Sequence, residues 1–243
     1  MASQQRSRKA LGLWMNGHFV GTWSLEAGGD VLQYDSQWVQ SPQRRPLSLS
    51  LPFTPGNRPH KGNAVRFYFE NLLPDSKDIR ERVARRYQVG ATDAYTLLRE
   101  VGRDCVGALQ ILPAGDEPPT DLRVQAEPMS DHAVAQRIRT LAQPGALGDA
   151  GMADDFRISI AGAQEKDALL FWQGRWCRPL GATPTTHIFK LPLGLIGNLQ
   201  LDMQHSVENE WLCAQLLAAY GLPVAPCEIL RFEDLKVLSV QRF

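Results

Sequence analysis

The sequence predicts an α+β protein in which a strand-rich first part precedes a second part with short strands and one strong helix. Asn16-Gly17 interrupts an apolar stretch over residues 11–26, and this residue pair favours the two-residue turn of a β-hairpin. Helical signals follow between residues 63 and 102. After a connector rich in proline and glycine, short apolar strands lead to a helix that begins at Ser206.

The composition excludes several classes of protein. The 243 residues include 26 Lys+Arg and 26 Asp+Glu, so the formal net charge is zero, which excludes a basic protein that coats nucleic acids. No apolar run approaches the roughly 20 residues of a membrane helix, and the polar N-terminus does not resemble a secretory signal. The four cysteines are scattered, which indicates reduced thiols without a zinc site. We therefore expect a cytoplasmic protein.

The first part is predicted to be a β-meander followed by helices. Three leucines alternate with two serines over Arg45–Pro52, which is the pattern of a half-buried strand. Asn63 can cap a first helix, Asp75 or Ser76 can start a second, and Gly102 ends a third.

The composition changes between residues 113 and 155, where prolines, glycines and acids separate the two parts. We place an N-terminal subdomain at residues 1–125 and a second subdomain at residues 126–243. In the second subdomain we predict a helix over Ser130–Ala142 and a second helix that begins at Ser206. The predicted strands are Arg157–Ile160, Ala168–Trp172, Thr186–Leu191, Cys227–Arg231 and Lys236–Phe243. The helix from Ser206 is expected to bury a stripe of apolar side chains: Val207, Trp211, Ala214, Leu217 and Ala218.

Lys190 lies inside the predicted strand Thr186–Leu191, where an unpaired ammonium group would be costly. A lysine that faces solvent from a strand is the plain alternative. The following helix offers two acids, Glu208 and Glu210. A strand lysine paired with a helix glutamate is the arrangement with which protein kinases hold the α and β phosphates of ATP.

The segment Ala161–Lys166 joins two predicted strands upstream of Lys190, where a kinase carries its phosphate-covering loop. It has one glycine, so an ordinary hairpin is the alternative. The order of loop, strand, lysine strand, helix and two strands is nevertheless that of a kinase N-lobe. Phosphorylation of the neighbouring Ser159 would add about −1.5 to −2 charge and repel a nucleotide, although a structural serine is the simpler interpretation. His187 is expected to be a packed core residue.

Six runs of residues carry a resemblance to a known family: RPLSLSLPF (45–53), FENLLPD (69–75), GRDCVGALQILP (102–113), FRISIAGAQEKDALL (156–170), PTTHIFKLP (184–192) and VENEWLC (207–213). With these runs the sequence resembles the HipA family of bacterial toxin kinases, the kinase half of HipA–HipB toxin–antitoxin modules. The resemblance extends over nearly the whole chain.

The resemblance implies a Ser/Thr protein kinase with an added β-rich N-terminal subdomain, of which this chain contains a kinase-like N-lobe while the C-lobe is absent. It implies that Lys190 anchors the ATP phosphates, that Glu210 is its helix partner and that Ser159 is an inhibitory autophosphorylation site. The other ATP-binding positions it implies are the loop residues Ala161, Gly162, Ala163, Gln164, Glu165 and Lys166, and the hinge residues Gln241, Arg242 and Phe243.

The same resemblance implies ATP with Mg²⁺ as cofactor, with the metal ligands and the catalytic aspartate expected beyond Phe243, so that this chain alone should be inactive. The implied substrate is an aminoacyl-tRNA synthetase, whose phosphorylation halts translation and promotes persistence. The implied partner is a HipB-like helix-turn-helix antitoxin, through which DNA is contacted indirectly, and no membrane is involved. The alternatives are a non-catalytic module that binds an antitoxin or a kinase partner, or a decayed product without activity.

Overall fold

The computed structural model describes residues 10–118, 124–142, 164, 166–181, 183–196 and 200–242. The described residues fall into two compact units, the first containing residues 10–118 and the second containing residues 124–142 together with those from 164 to 242. Within the described part of the chain, no helix combines the length and the apolar character needed to cross a membrane.

The first unit is built on a five-stranded antiparallel sheet with the strand order β4-β3-β2-β1-β5. Asn16 and Gly17 have φ of 50° and 78°, the left-handed backbone that a tight hairpin turn requires, so the predicted hairpin is confirmed. The strands are β1 (Ala10–Met15), β2 (His18–Glu26), β3 (Gly29–Tyr34), β4 (His60–Lys61) and β5 (Leu109–Pro113).

Four helices accompany this sheet: α1 (Ser36–Gln40), α2 (Asn63–Glu70), α3 (Lys77–Arg86) and α4 (Ala94–Val101). Ser76, one of the two residues predicted to start this helix, caps α3, because its hydroxyl accepts a hydrogen bond from the backbone N–H of Ile79. Asn63 is not a cap: it is the first residue of α2, and Gly62 occupies the cap position with φ of 78°. The core of the unit includes Trp23 stacked on Phe69 with ring centroids 3.7 Å apart.

The strand predicted for Arg45–Pro52 is wrong, because this segment forms turns and irregular backbone. Tyr34 explains the difference. Its hydroxyl accepts a hydrogen bond from the N–H of Leu47 at 2.9 Å and donates one to the carbonyl of Leu51 at 2.6 Å, so a side chain binds backbone groups that a strand neighbour would otherwise bind. Leu51 is buried as expected, but Leu49 is 95% exposed.

The second unit contains a six-stranded sheet with the order β12-β13-β9-β7-β8-β6 and a separate two-stranded pair, β10-β11. All strand pairs of both sheets are antiparallel. The strands are β6 (Ala126–Pro128), β7 (Lys166–Trp172), β8 (Arg175–Pro179), β9 (His187–Lys190), β10 (Gly194–Ile196), β11 (Leu201–Met203), β12 (Cys227–Phe232) and β13 (Leu235–Gln241).

Two helices, α5 (Asp131–Ala142) and α6 (Ser206–Ala219), contact opposite faces of the six-stranded sheet. On one face, Val134 and Ile138 of α5 pack with Leu169 and Phe189 in the core of the unit. Successive strand residues point to opposite faces, so Lys190 faces away from α5, and its side chain contacts α6.

The buried stripe predicted for α6 is only partly correct. Val207 is buried, but Trp211 and Leu217 are exposed to 36% and 44%. Only the N-terminal part of α6 lies close to the sheet, and no other described layer of the second unit covers its last two turns. Ser206 begins the helix rather than capping it, and its hydroxyl accepts a hydrogen bond from the N–H of Leu193 at 3.0 Å.

Candidate functional site

Lys190 is the last residue of β9, a central strand between β7 and β13. Its side chain is 24% exposed, and its Nζ forms an ion pair with Oε1 of Glu210 on α6. A half-buried ammonium group requires such a partner, because desolvation without one is costly. The alternative of a lysine that points freely into solvent is therefore not what the structure shows.

Glu210 reaches Lys190 because the first turn of α6 is fixed to the sheet. Val207 is 1% exposed and anchors this turn in the apolar layer. The hydrogen bond between Ser206 and Leu193 ties the start of the helix to the segment that follows β9. The side chain of Glu210 is 42% exposed, so the ion pair lies at the edge of the core.

A second ion pair lies beside the first, and the sequence interpretation missed it. Nζ of Lys236 on β13 contacts Oε1 of Glu208, and the Lys236 side chain is only 17% exposed. The hydrogen bond from Lys236 lowers the pKa of the Glu208 carboxyl. The sequence contained a signal for this pair: Lys236 is the second residue of a largely apolar strand, at a position that an apolar side chain usually occupies.

The loop positions implied by the resemblance are only partly described. Nε2 of Gln164 donates a hydrogen bond to the carbonyl of Leu191 at 2.6 Å, which links this position to the residue after Lys190. Lys166 is not a loop residue: it begins β7 and lies directly opposite Lys190. Outside the described residues lie Ser159, Ala161, Gly162, Ala163, Glu165 and Phe243.

Two lysines on neighbouring strands therefore share one sheet face. Residues directly opposite in an antiparallel pair point to the same side, and like charges there repel each other. Lys166 and Lys190 are such a pair. The Glu210 carboxylate contacts Lys190 and offsets part of this repulsion.

The hinge positions lie at the end of β13. The backbone N–H of Gln241 donates to the carbonyl of Pro226, and that of Arg242 donates to the carbonyl of Thr186, both at 2.9 Å. The Arg242 guanidinium also contacts the hydroxyl of the buried Thr185. The bond of Gln241 holds the end of β13 to the residue before β12, whereas the bonds of Arg242 hold it to the residues before β9, and both N–H groups are occupied.

Cys227 lies near the Lys190–Glu210 pair, whereas His187 lies on the opposite face of the sheet, on the same side as Phe189. Burial raises the pKa of the Cys227 thiol, and the nearby Glu210 carboxylate raises it further while Lys190 opposes the change. His187 packs against the rings of Phe171 and Trp176, and burial lowers its pKa, as expected for a core histidine.

In the described part of the chain, no group of three or more His, Cys, Asp or Glu residues could hold a metal ion.

Comparison with known proteins identifies the family. Residues 11–112 match the model of the HipA N-terminal domain, and residues 158–243 match that of the HipA-like C-terminal domain. The chain is 30% identical to a protein of Sinorhizobium fredii named putative kinase Y4mE, over 97% of this chain and 54% of that protein. It is 28% identical to the serine/threonine-protein kinase toxin HipA of Shewanella oneidensis, over 92% of this chain and 47% of the toxin.

A solved structure agrees with these matches. The chain superposes with a TM-score of 0.70 and 26% identity on a chain of the Shewanella oneidensis complex of HipA, HipB and operator DNA, covering 96% of this chain and 50% of the other. The chain thus spans about half the length of the curated relatives it matches. These matches confirm the resemblance seen in the sequence, and the chain belongs to the HipA family.

Proposed function

We propose that this chain carries the nucleotide-binding part of a HipA-like Ser/Thr protein kinase. The observation that supports the proposal most is the ion pair between Lys190 of β9 and Glu210 of α6. A protein kinase binds the ATP phosphates with a lysine, and a glutamate on a helix holds that lysine in place. Here the lysine lies on a strand and the glutamate on a helix, as in a kinase.

In this proposal each described residue has a separate task. Lys190 binds the α and β phosphates and Glu210 orients it, while Lys166 adds a second positive charge on the same face. Gln164 holds its loop to the carbonyl of Leu191. ATP with Mg²⁺ would supply the phosphoryl group. Since the N–H groups of Gln241 and Arg242 are already bonded within the protein, adenine would be recognised at this hinge through other backbone groups.

We further propose that the chain alone does not transfer phosphate. Phosphoryl transfer requires carboxylates that hold the metal ions and orient the acceptor hydroxyl, and the resemblance to the family assigns none of these roles to a residue of this chain. Phosphorylation of Ser159 would silence the kinase by placing negative charge beside the phosphate loop. The acceptor of the complete kinase would be an aminoacyl-tRNA synthetase.

The nucleotide proposal is tested by calorimetric titration of the chain with Mg–ATP. Binding should be detectable in the wild type, and Lys190→Ala should weaken it by about tenfold or more, since a charge-assisted contact to phosphate is lost. Lys77→Ala on α3 is the matched control, because that side chain is 84% exposed and lies in the first unit. Equal affinities of wild type and Lys190→Ala would refute the proposal. Transfer of labelled phosphate from ATP to the chain itself would refute its inactivity.

We also propose a HipB-like antitoxin as partner, with DNA reached only through that protein. The support is the solved complex of HipA, HipB and operator DNA that the chain resembles over 96% of its length. Co-purification of the chain with a HipB-like protein, followed by a mobility-shift assay with operator DNA, tests both parts. The chain should shift DNA only when the antitoxin is present.

A second candidate function is a non-catalytic interaction module. The exposed apolar side chains at the end of α6 support it, among them Leu212, Leu216 and Tyr220, which are 51%, 51% and 82% exposed. Contiguous apolar surface of this kind marks association sites. Tight binding of a HipB-like protein by a chain that does not bind Mg–ATP would favour this function over the first.

A further inference from the structure

The two lysine–glutamate pairs differ in where they attach to α6. At 3.6 residues per turn, Glu208 and Glu210 are separated by about 160° around the helix axis, and Val207 and Trp211 lie within the arc between them. Val207 is 1% exposed, so this arc faces the sheet. The two glutamates therefore leave the helix on opposite flanks of its sheet-facing side.

The two lysines lie on one face of two neighbouring strands. Lys190 on β9 is directly opposite Leu238 on β13, and Lys236 precedes Leu238 by two residues, which places it on the same face. The two ammonium groups are thus diagonal neighbours on the sheet, beneath the first turns of α6. Each is paired with the glutamate on its own flank of the helix.

One such pair would restrain the roll of α6 only weakly. Besides the Lys190–Glu210 contact, α6 would then be held by the hydrogen bond of Ser206 at its first residue and by the apolar contact of Val207, which has no preferred direction. A second contact on the opposite flank opposes rotation in either sense. The other oxygen of Glu208 is shielded from solvent, has no hydrogen-bond partner among the described residues, and lies 4.0 Å from Nδ1 of His205.

We infer that the Lys236–Glu208 pair is a positioning device, which fixes the roll of α6 so that Glu210 meets Lys190. Lys236 and Glu208 do not themselves contact the nucleotide in this scheme. The inference concerns the geometry of Lys190 and Glu210, and it deepens the proposed function, on which its significance for catalysis rests.

The test measures how fast Lys190 is acetylated by a limiting amine-reactive acetyl ester, with quantification of each lysine by peptide mass spectrometry and no nucleotide present. An ion-paired, half-buried lysine reacts slowly. Glu210→Gln removes the partner and sets the upper limit, an acceleration of about fivefold for a partly exposed pair. Glu208→Gln should accelerate the acetylation of Lys190 nearly as much, although Glu208 does not contact Lys190.

Three further variants separate positioning from other effects. Lys236→Arg preserves the pair and should keep the wild-type rate at Lys190. The double variant Glu208→Gln/Lys236→Met leaves no unpaired charge, so it folds even if Glu208→Gln alone does not, and it should still expose Lys190. Glu127→Gln breaks the exposed ion pair with Arg178 in the same sheet, and it should leave the acetylation rate of Lys190 unchanged.

A wild-type rate at Lys190 in both Glu208→Gln and the double variant overturns the inference. An accelerated rate in the Glu127→Gln control also overturns it, because the effect would then be general loosening of the unit. A separate arm adds Mg–ATP to the wild type, where the proposed function expects Lys190 to be shielded. If Mg–ATP does not slow the acetylation of Lys190, the proposed function fails. The rates measured without nucleotide still decide whether the Lys236–Glu208 pair positions Glu210.

Discussion

Arg137 of α5 and Asp167 of β7 form a buried ion pair with two contacts. Nη2 of Arg137 donates to Oδ1 of Asp167 at 2.8 Å, and Nε donates to Oδ2. The Asp167 side chain is 1% exposed and that of Arg137 is 12% exposed. Because Lys166 and Asp167 are successive strand residues, the strand presents one charge to each face, the cation toward the α6 side and the anion toward α5.

Removal of one partner of this pair should be strongly destabilising. Arg137→Met leaves the Asp167 carboxylate buried without its cation, which costs about 3–5 kcal/mol. Amide hydrogen exchange of α5 and β7 measures the loss, because it reports the second unit separately from the first. Glu127→Gln removes one partner of an exposed pair and should cost less than about 1 kcal/mol. Equal effects of the two variants would contradict the importance assigned to burial.

Gly102 should not tolerate a side chain, although its backbone has an ordinary φ of −72°. A Cβ at this position would lie 2.3 Å from the carbonyl oxygen of Leu98 and 2.7 Å from Cβ of Ile111. Gly102→Ala should therefore destabilise the first unit by roughly 1–3 kcal/mol through overpacking. Gly90→Ala is the control, since nothing lies within 4 Å of its Cβ position. Urea denaturation that gives both variants the same midpoint would contradict this prediction.

The stability of the second unit should depend on the protonation of His187. Burial lowers the pKa of His187, so the unfolded chain binds a proton more readily than the folded one. The contribution of neutral His187 is complete above the ordinary histidine pKa of about 6.5, and it should be lost as the pH falls below that value toward the folded pKa. Comparison of unfolding free energies of wild type and His187→Gln from pH 7.5 to pH 5 measures this. Parallel pH profiles of the two proteins would contradict it.

The exposed end of α6 should bind apolar probes. Leu216→Glu should reduce the fluorescence of a hydrophobic dye bound to the chain, because it places a charge within the exposed apolar surface. Its effect on stability should be within about 0.5 kcal/mol, as is usual for surface positions. Gln215→Glu adds the same charge at a neighbouring polar position of α6 and should leave the dye signal nearly unchanged.

Local signals predicted the parts of the fold that depend on a few adjacent residues. The hairpin at Asn16-Gly17 and the cap at Ser76 follow from backbone conformation and from a hydroxyl close to a free N–H, and neither needs a distant partner. The specific run PTTHIFKLP likewise indicated the family and pointed to Lys190. These features are determined by the sequence itself.

Contacts between distant residues decided the rest. Leucines that alternate over Arg45–Pro52 do not form a strand, because the Tyr34 hydroxyl binds the backbone there. The choice of Glu210 for Lys190, and of Glu208 for Lys236, depends on how α6 lies on β9 and β13. Helix periodicity determines where Glu208 and Glu210 lie around the helix axis, but it does not determine which strand packs beneath each of them. Only the packing of a helix onto a sheet, which joins residues far apart in the chain, determines those partners.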